Sequence, residues 1–320
     1  MNAIGGYFGI ECDLKENYPF KGYHHLNTAR NAIEVALKTI NPKKVYLPYF
    51  TCDVVLEPIN RLKIPYEFYD IRFDFEPNIN IDKIRKKDCF ILNNYFGITT
   101  KLVNQFKKHK IKNLIIDNAQ ALFAKPVEEA YNIYSPRKFM GLPDGGLIYS
   151  NSELGLPNDQ DQSYERCSHL LKRIDLSAEE AYSDFQFNDK SLENQAAKKM
   201  SKLTQYQLKG VDFETMRKRR IENFNFIAQA LNEENKIKVE QLISEEDIPM
   251  VYPYYTEDAE FLRKKLTQNK IYCAQYWPNV FNWSNEKLTS FQLTKNIIAI
   301  PIDQRYSINE MKTIIACIKS

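Results

Sequence analysis

The sequence predicts an α/β protein with a mostly parallel central sheet covered by helices, followed by a smaller C-terminal α+β part. Three observations predict it. Between Thr28 and Ser150 helical periodicity alternates with short apolar runs, the pattern of strand–helix–strand units whose sheet is buried on both faces. Beyond Ser150 that alternation stops and polar helical stretches take over. The residues best suited to chemistry fall just after strands, where open α/β sheets place their ligands.

The elements follow in order. A first helix is expected from about Thr28 to Thr39, with Ala32, Ile33 and Ala36 on one face. Thr28 can accept a hydrogen bond from a free amide of its first turn. A strand over Lys44 to Leu47 ends at Pro48, and a second helical stretch covers Asp53 to Leu62. Strands are expected at Tyr66 to Tyr69, Cys89 to Leu92 and Asn113 to Ile116, with a helix at Lys101 to His109 before the last of these. Two more strands fall at Tyr131 to Tyr134 and Leu147 to Ser150. Ser191 to Leu231 reads as long polar helices, and the cluster Arg217, Lys218, Arg219, Arg220 reads as a solvated face. Strands near Met250 to Tyr254 and Ile297 to Ile300, with helices near Asp258 to Gln268 and Ile308 to Ile318, complete the chain. The expected division is residues 1–212 as the large domain and 213–320 as the small one.

Bulk properties narrow the function. A chain of 320 residues can form one large and one smaller domain. A net charge of +3, with no stretch dominated by Lys and Arg, points away from nucleic acid. The six cysteines form no C-x-x-C pair, so neither a zinc site nor a disulfide framework is indicated; reduced thiols in a cytoplasm are the expectation. The N-terminal stretch MNAIGGYFGIECDL lacks the features of a signal peptide, and no apolar run is long enough to span a membrane.

Three segments carry chemistry. In Leu114-Ile115-Ile116-Asp117-Asn118-Ala119-Gln120 an apolar strand ends in Asp. Alone, such an Asp more often organises the next turn. It can also keep a pyridine nitrogen protonated, which makes the ring an electron sink. In Ser135-Pro136-Arg137-Lys138, Ser-x-x-Lys follows a strand, and Asp144-Gly145-Gly146 precedes the next. Asp-Gly by itself signals a tight hairpin turn. Ser-x-x-Lys also occurs in serine acyl-transferases, but their S-D-N and K-T-G elements are absent. A lysine that forms imines needs a fixed position, which a Gly-rich turn supplies. In Asn27-Thr28-Ala29-Arg30, the amides of Ala29 and Arg30 open a helix and can hold a phosphate. His24 and His25, just before it, read as exposed loop residues.

Taken together, this order and spacing resemble the DegT/StrS family of sugar aminotransferases, which are fold-type-I pyridoxal 5′-phosphate enzymes. The resemblance extends over nearly the whole chain. Leu47-Pro48-Tyr49-Phe50-Thr51-Cys52 resembles the strand-loop motif that ends beside the cofactor ring. Asn94-Tyr95-Phe96-Gly97 resembles the strand-end aromatic-Gly motif, and Tyr276-Trp277-Pro278 and Ile300-Pro301-Ile302 the small-domain signatures. The resemblance implies that Lys138 forms the Schiff base, that Asp117 faces the pyridine nitrogen and that Gln120 lies near the phenolic oxygen. It gives the phosphate to Ala29, Arg30 and Ser135. Asn188 is implied to reach the partner's cofactor across a homodimer.

The chain departs from the family in three places. Ile133 stands where a phosphate-binding Ser is common, and Ser135 takes over that contact. Cys52 stands where an aromatic commonly stacks on the ring. The chain is shorter than typical members, with a poorly matching N-terminal arm. Lys138, in place of a His, points to transamination over dehydration. The implied reaction moves an amino group from glutamate to a keto sugar, nucleotide-linked, for surface polysaccharide or related amino-sugar synthesis. The alternatives are a catalytically silent or regulatory member of the fold, and a fold-type-I enzyme acting on another amino acid.

Overall fold

The computed structural model describes residues 6–15 and 17–320; Met1 to Gly5, the start of the stretch weighed above as a signal peptide, lie outside them. The chain enters the sheet with β1 (His24–Leu26) and turns into α1 (Ala29–Ile40). Thr28 Oγ1 accepts from the Asn31 amide, as expected of a cap. β2 (Val45–Pro48), α2 (Leu56–Arg61), β3 (Tyr66–Ile71), β4 (Pro77–Asn78) and β5 (Cys89–Asn93) follow. Then come α3 (Thr100–Phe106), β6 (Leu114–Asn118), β7 (Tyr131–Tyr134) and β8 (Gly146–Tyr149).

These eight strands form one sheet in the order β1-β8-β7-β6-β5-β2-β3-β4. The run from β7 through β6, β5 and β2 to β3 is parallel. β8 returns antiparallel beside β7, and β1 and β4 close the two edges antiparallel. Side-chain alternation sorts the strands onto two cores. Val45, Leu47, Cys89, Ile91, Ile115, Ile133 and Ile148 meet Ala32, Ile33, Ala36 and Leu37 of α1 on one face. Tyr46, Phe90, Leu92, Leu114, Ile116, Tyr134 and Leu147 turn to the opposite face and join a larger core that continues into the C-terminal part. The fold class read from the sequence is the one observed. Its two short edge strands were not anticipated, and the expected loop histidines belong to one of them. His24 is exposed; His25 is half-buried and bonds Tyr18 Oη at 2.6 Å.

The polar region is more broken than expected. α4 (Ser168–Asp175) and α5 (Tyr182–Ser191) precede a non-helical stretch, and α6 (Lys202–Lys209) and α7 (Phe213–Leu231) come after it. Asp212 caps α7 by accepting from the Thr215 amide at 3.0 Å. The four-residue α8 (Val239–Leu242) leads into β9 (Val251–Tyr255) and α9 (Ala259–Gln268). α10 (Val280–Trp283), α11 (Thr289–Asn296), β10 (Ile297–Pro301) and α12 (Ile308–Lys319) end the chain. β9 and β10 pair antiparallel as a separate two-stranded sheet. The basic cluster is not uniformly solvated: Arg217 and Lys218 are exposed, but Arg220 is buried. Among the described residues no helix is long and apolar enough to cross a membrane, and all six cysteines are free thiols.

Candidate active site

β2 lies between β3 and β5, so the chain crosses over it on the way from β3 to β5. At the carboxyl ends of the strands beside such a reversal the connecting loops diverge and leave a crevice. The loop after β2 carries Cys52, the loop after β5 carries Tyr95 and Phe96, Asp117 lies at the end of β6, and Lys138 follows β7.

Each position is fixed locally. Asn93 Nδ2 donates to Thr51 Oγ1 at 3.0 Å, and Tyr95 Oη donates to Phe50 O at 2.9 Å, joining the first two loops. Phe96 takes a left-handed conformation at φ 55°. Its amide donates to Gln120 Oε1 at 3.1 Å, which orients the Gln120 carboxamide. Gly97 follows with φ +68°, and a Cβ there would stand 2.7 Å from Ile248 O. Only glycine tolerates both the dihedral and the approach, which explains this aromatic-Gly motif.

Lys138 closes a single 3₁₀ turn that starts at Pro136, and its amide donates to Ser135 O at 3.1 Å. Asp144 and Gly145 do not make the tight hairpin turn that Asp-Gly alone signals. β7 ends at Tyr134 and β8 starts at Gly146, so both residues lie in the long loop that carries Lys138. Asp144 is fully buried and accepts from Ser201 N at 2.8 Å, from Ser201 Oγ at 2.7 Å and from Thr204 Oγ1. It thereby anchors the start of α6. Gly145 has φ +134°, and its amide donates to Asn27 O at 2.6 Å. A Cβ on Gly146 would lie 2.2 Å from the Thr28 carbonyl carbon and 2.4 Å from the Ala29 nitrogen. The acidic-Gly-Gly segment thus seats the amino end of α1 directly against the loop of the lysine.

Lys138 is exposed, whereas Asp117 and Gln120 are buried. Burial raises the Asp117 pKa, and the Lys138 charge and a 2.9 Å bond from the Ala119 amide oppose the rise. Burial pushes the Cys52 thiol up to about 11, again opposed by Lys138. The Lys138 charge thus acts on both Asp117 and Cys52. Ala29 and Arg30 open α1 at the Gly146 contact, with the Arg30 guanidinium paired to Glu57. Ser135 is buried, and its hydroxyl is not spent on capping the turn it precedes.

Asn188 requires a correction. It is fully buried in its own chain, and its Nδ2 donates to Pro143 O at 3.0 Å. α5 folds that face inward, so the side chain steadies the lysine loop from within and does not extend toward a second subunit.

The aromatic missing at Cys52 has a counterpart that sequence reading left among the small-domain signatures. The Trp277 indole faces Lys138, with Nζ 6.0 Å from the ring centroid. Phe50 packs edge-on against it at 4.9 Å, and Asn279 Nδ2 donates to Thr51 O at 2.9 Å, tying this segment to the Cys52 loop. The signal was present in Tyr276-Trp277-Pro278, but no local pattern tells which loop faces it.

The donor set fits pyridoxal phosphate. Gln120 Nε2 is buried without a partner among the described residues, a donor held ready for an acceptor. A buried carboxylate suits a ring nitrogen, and a helix start suits a phosphate.

No family model matches the sequence, and no curated protein matches it. Solved structures do match. The sugar aminotransferase Spr1654 from Streptococcus pneumoniae, in its PLP form, aligns with a TM-score of 0.64 at 16% identity over 94% of this chain and 87% of that one. A DegT/DnrJ/EryC1/StrS aminotransferase from Brucella abortus aligns at 0.63 and 15% identity, over 95% and 87% of the two chains. DesV from S. venezuelae aligns at 0.65 and 12% identity, over 93% and 84%. These likenesses establish the architecture: the chain has the fold of pyridoxal-phosphate-dependent aminotransferases, and its structural neighbours include a member of the family that the motifs resemble.

Proposed function

We propose that the protein is a pyridoxal 5′-phosphate-dependent aminotransferase that moves an amino group from glutamate to a keto sugar, carried on a nucleotide, in amino-sugar synthesis. One observation carries this reading: Lys138, Asp117 and the unpartnered Gln120 amide converge at neighbouring parallel strand ends on a fold built for this cofactor.

When bound, the cofactor supplies an electron sink for the pair left when a Cα–H bond breaks. Lys138 would hold the cofactor through its amine and, when free, would accept the Cα proton and return it one position along. The Asp117 carboxylate would keep a proton on the ring nitrogen. Gln120 Nε2 would donate to the phenolic oxygen. The amino end of α1 and the Ser135 hydroxyl would receive the phosphate. Trp277, its indole 6.0 Å from Lys138 Nζ, would supply the aromatic face that Cys52 does not.

The same reading takes residues 213–320 as a smaller domain, places the protein in the cytoplasm and pairs it as a homodimer. Exposed Leu171, Ile174, Tyr182, Phe185 and Phe187 on α4 and α5 support the pairing.

Purified protein with added cofactor should absorb at about 400–430 nm, as lysine adducts of this cofactor do. Glutamate should bleach that band, and a panel of nucleotide keto sugars, read by mass spectrometry, should restore it with one sugar gaining an amine. Borohydride should fix the cofactor to wild type and not to Lys138→Ala. A protein with no band at saturating cofactor, or an adduct that survives in Lys138→Ala, would overturn the assignment.

A further inference from the structure

Arg220 is buried in α7, 1% exposed, with no carboxylate within ion-pair distance among the described residues. Its guanidinium instead spends its donors on neutral acceptors. Nη1 donates to Pro249 O at 3.2 Å and to Met250 O at 2.9 Å, and Nε donates to Gln304 Oε1 at 3.0 Å. Nη2 reaches Phe139 O at 3.4 Å, and the Phe139 ring lies 4.7 Å from the guanidinium carbon. Gln304 Nε2 donates to the same Phe139 carbonyl at 2.8 Å.

Phe139 is the residue after Lys138. Its amide side is held by the local turn, through Pro136 O at 2.9 Å. Among the described residues its carbonyl side is held only by Arg220 and Gln304, which come from the C-terminal part of the chain. A buried charge without a direct counter-ion is costly, and an apolar side chain would pack α7 at less expense. Asp303, the nearby acid, is occupied by Arg305 at 2.7 and 2.9 Å. Burial lowers the Arg220 pKa to about 10, still well above neutrality. The guanidinium therefore stays charged, and its planar fork serves four acceptors at once, one more than the three donors of an ammonium could.

We infer that Arg220 is a positioning residue for Lys138: with Gln304 it clasps the Phe139 carbonyl and fixes the turn from which the lysine projects. The inference rests on the aminotransferase reading, and its test separates the two. In cofactor-free protein, amide exchange at Lys138, Phe139 and Met140 should quicken at least about tenfold in Arg220→Met, the scale of losing one charged hydrogen bond. Exchange in the strands of the sheet should stay as in wild type. In loaded protein, kcat should fall about tenfold to a hundredfold with KM for the amino donor nearly unchanged. The pH midpoint of the visible band should move, and Arg220→Lys should restore part of each effect. Gln304→Met, at a half-buried site, should shift the same readouts in the same direction but less, and it carries the test if Arg220→Met does not fold. Wild-type exchange in this turn in either folded variant, or a wild-type band midpoint and kcat, would overturn the inference. A wild-type protein that takes up no cofactor would instead overturn the aminotransferase reading, leaving the exchange result to decide whether the clasp exists.

Discussion

Asp117 shows most directly what the site costs the fold. Burial raises its pKa above 3.8, so in cofactor-free protein its ionised form is less favourable folded than unfolded. The sign follows: above the raised folded pKa the carboxylate subtracts its full share from stability, and below 3.8, where both states are protonated, the subtraction vanishes. Asp117→Asn keeps an oxygen for the Ala119 amide and removes the charge. Cofactor-free Asp117→Asn should therefore melt a few degrees above wild type at pH 8, with the gap closing as pH falls into the carboxyl range. Cofactor should bind it more weakly and leave it sooner on dialysis. A variant that melts below wild type at pH 8 would show that the charge is satisfied without the cofactor.

Among the elements, the join of α1 to β8 decides whether an anion can be held. Gly146→Ala would drive a methyl into the backbone of Thr28 and Ala29. The expected loss is about 1–3 kcal/mol, the range for forcing a methylene into a filled site, measured by denaturant midpoint. Cofactor retention after gel filtration should drop as well, because the displaced backbone is where the proposed function seats the phosphate. At this scale the sequence was largely legible. β2, β5 and β6 could be read because residues buried on both faces make a near-continuous apolar run. β1 and β4 were not, since strands of three and two residues at a sheet edge carry no periodicity. Asp144-Gly145 left a tight hairpin turn and a longer loop both open, because the dipeptide encodes a backbone conformation, not the length of the loop around it. Arg220 was misjudged because three neighbours in the basic cluster are partly or fully exposed, and composition gives charge without direction. Trp277 and Asn188 depend on which distant segment packs opposite, which no local spacing contains.

For the whole molecule, the larger core crosses from the main sheet to β9 and β10, so the two parts are packed as one body. The apolar side chains of α4 and α5 are left outside it. Ile174 is 82% exposed and Phe187 66% exposed. If a second subunit covers them, Ile174→Asp combined with Phe187→Asp should shift the mass in light scattering from dimer toward monomer, while circular dichroism stays as in wild type. A wild type that scatters as a monomer at micromolar concentration would end the dimer proposal.

The bond from the Gly145 amide to Asn27 O and the bare Gly146 beneath Thr28 have a last consequence. They hold the start of α1 against the lysine loop through main-chain contacts, a join that no side-chain rotamer can loosen. If the proposed cofactor is seated between them, an analogue with a longer phosphate arm should be retained less well on gel filtration than pyridoxal phosphate itself.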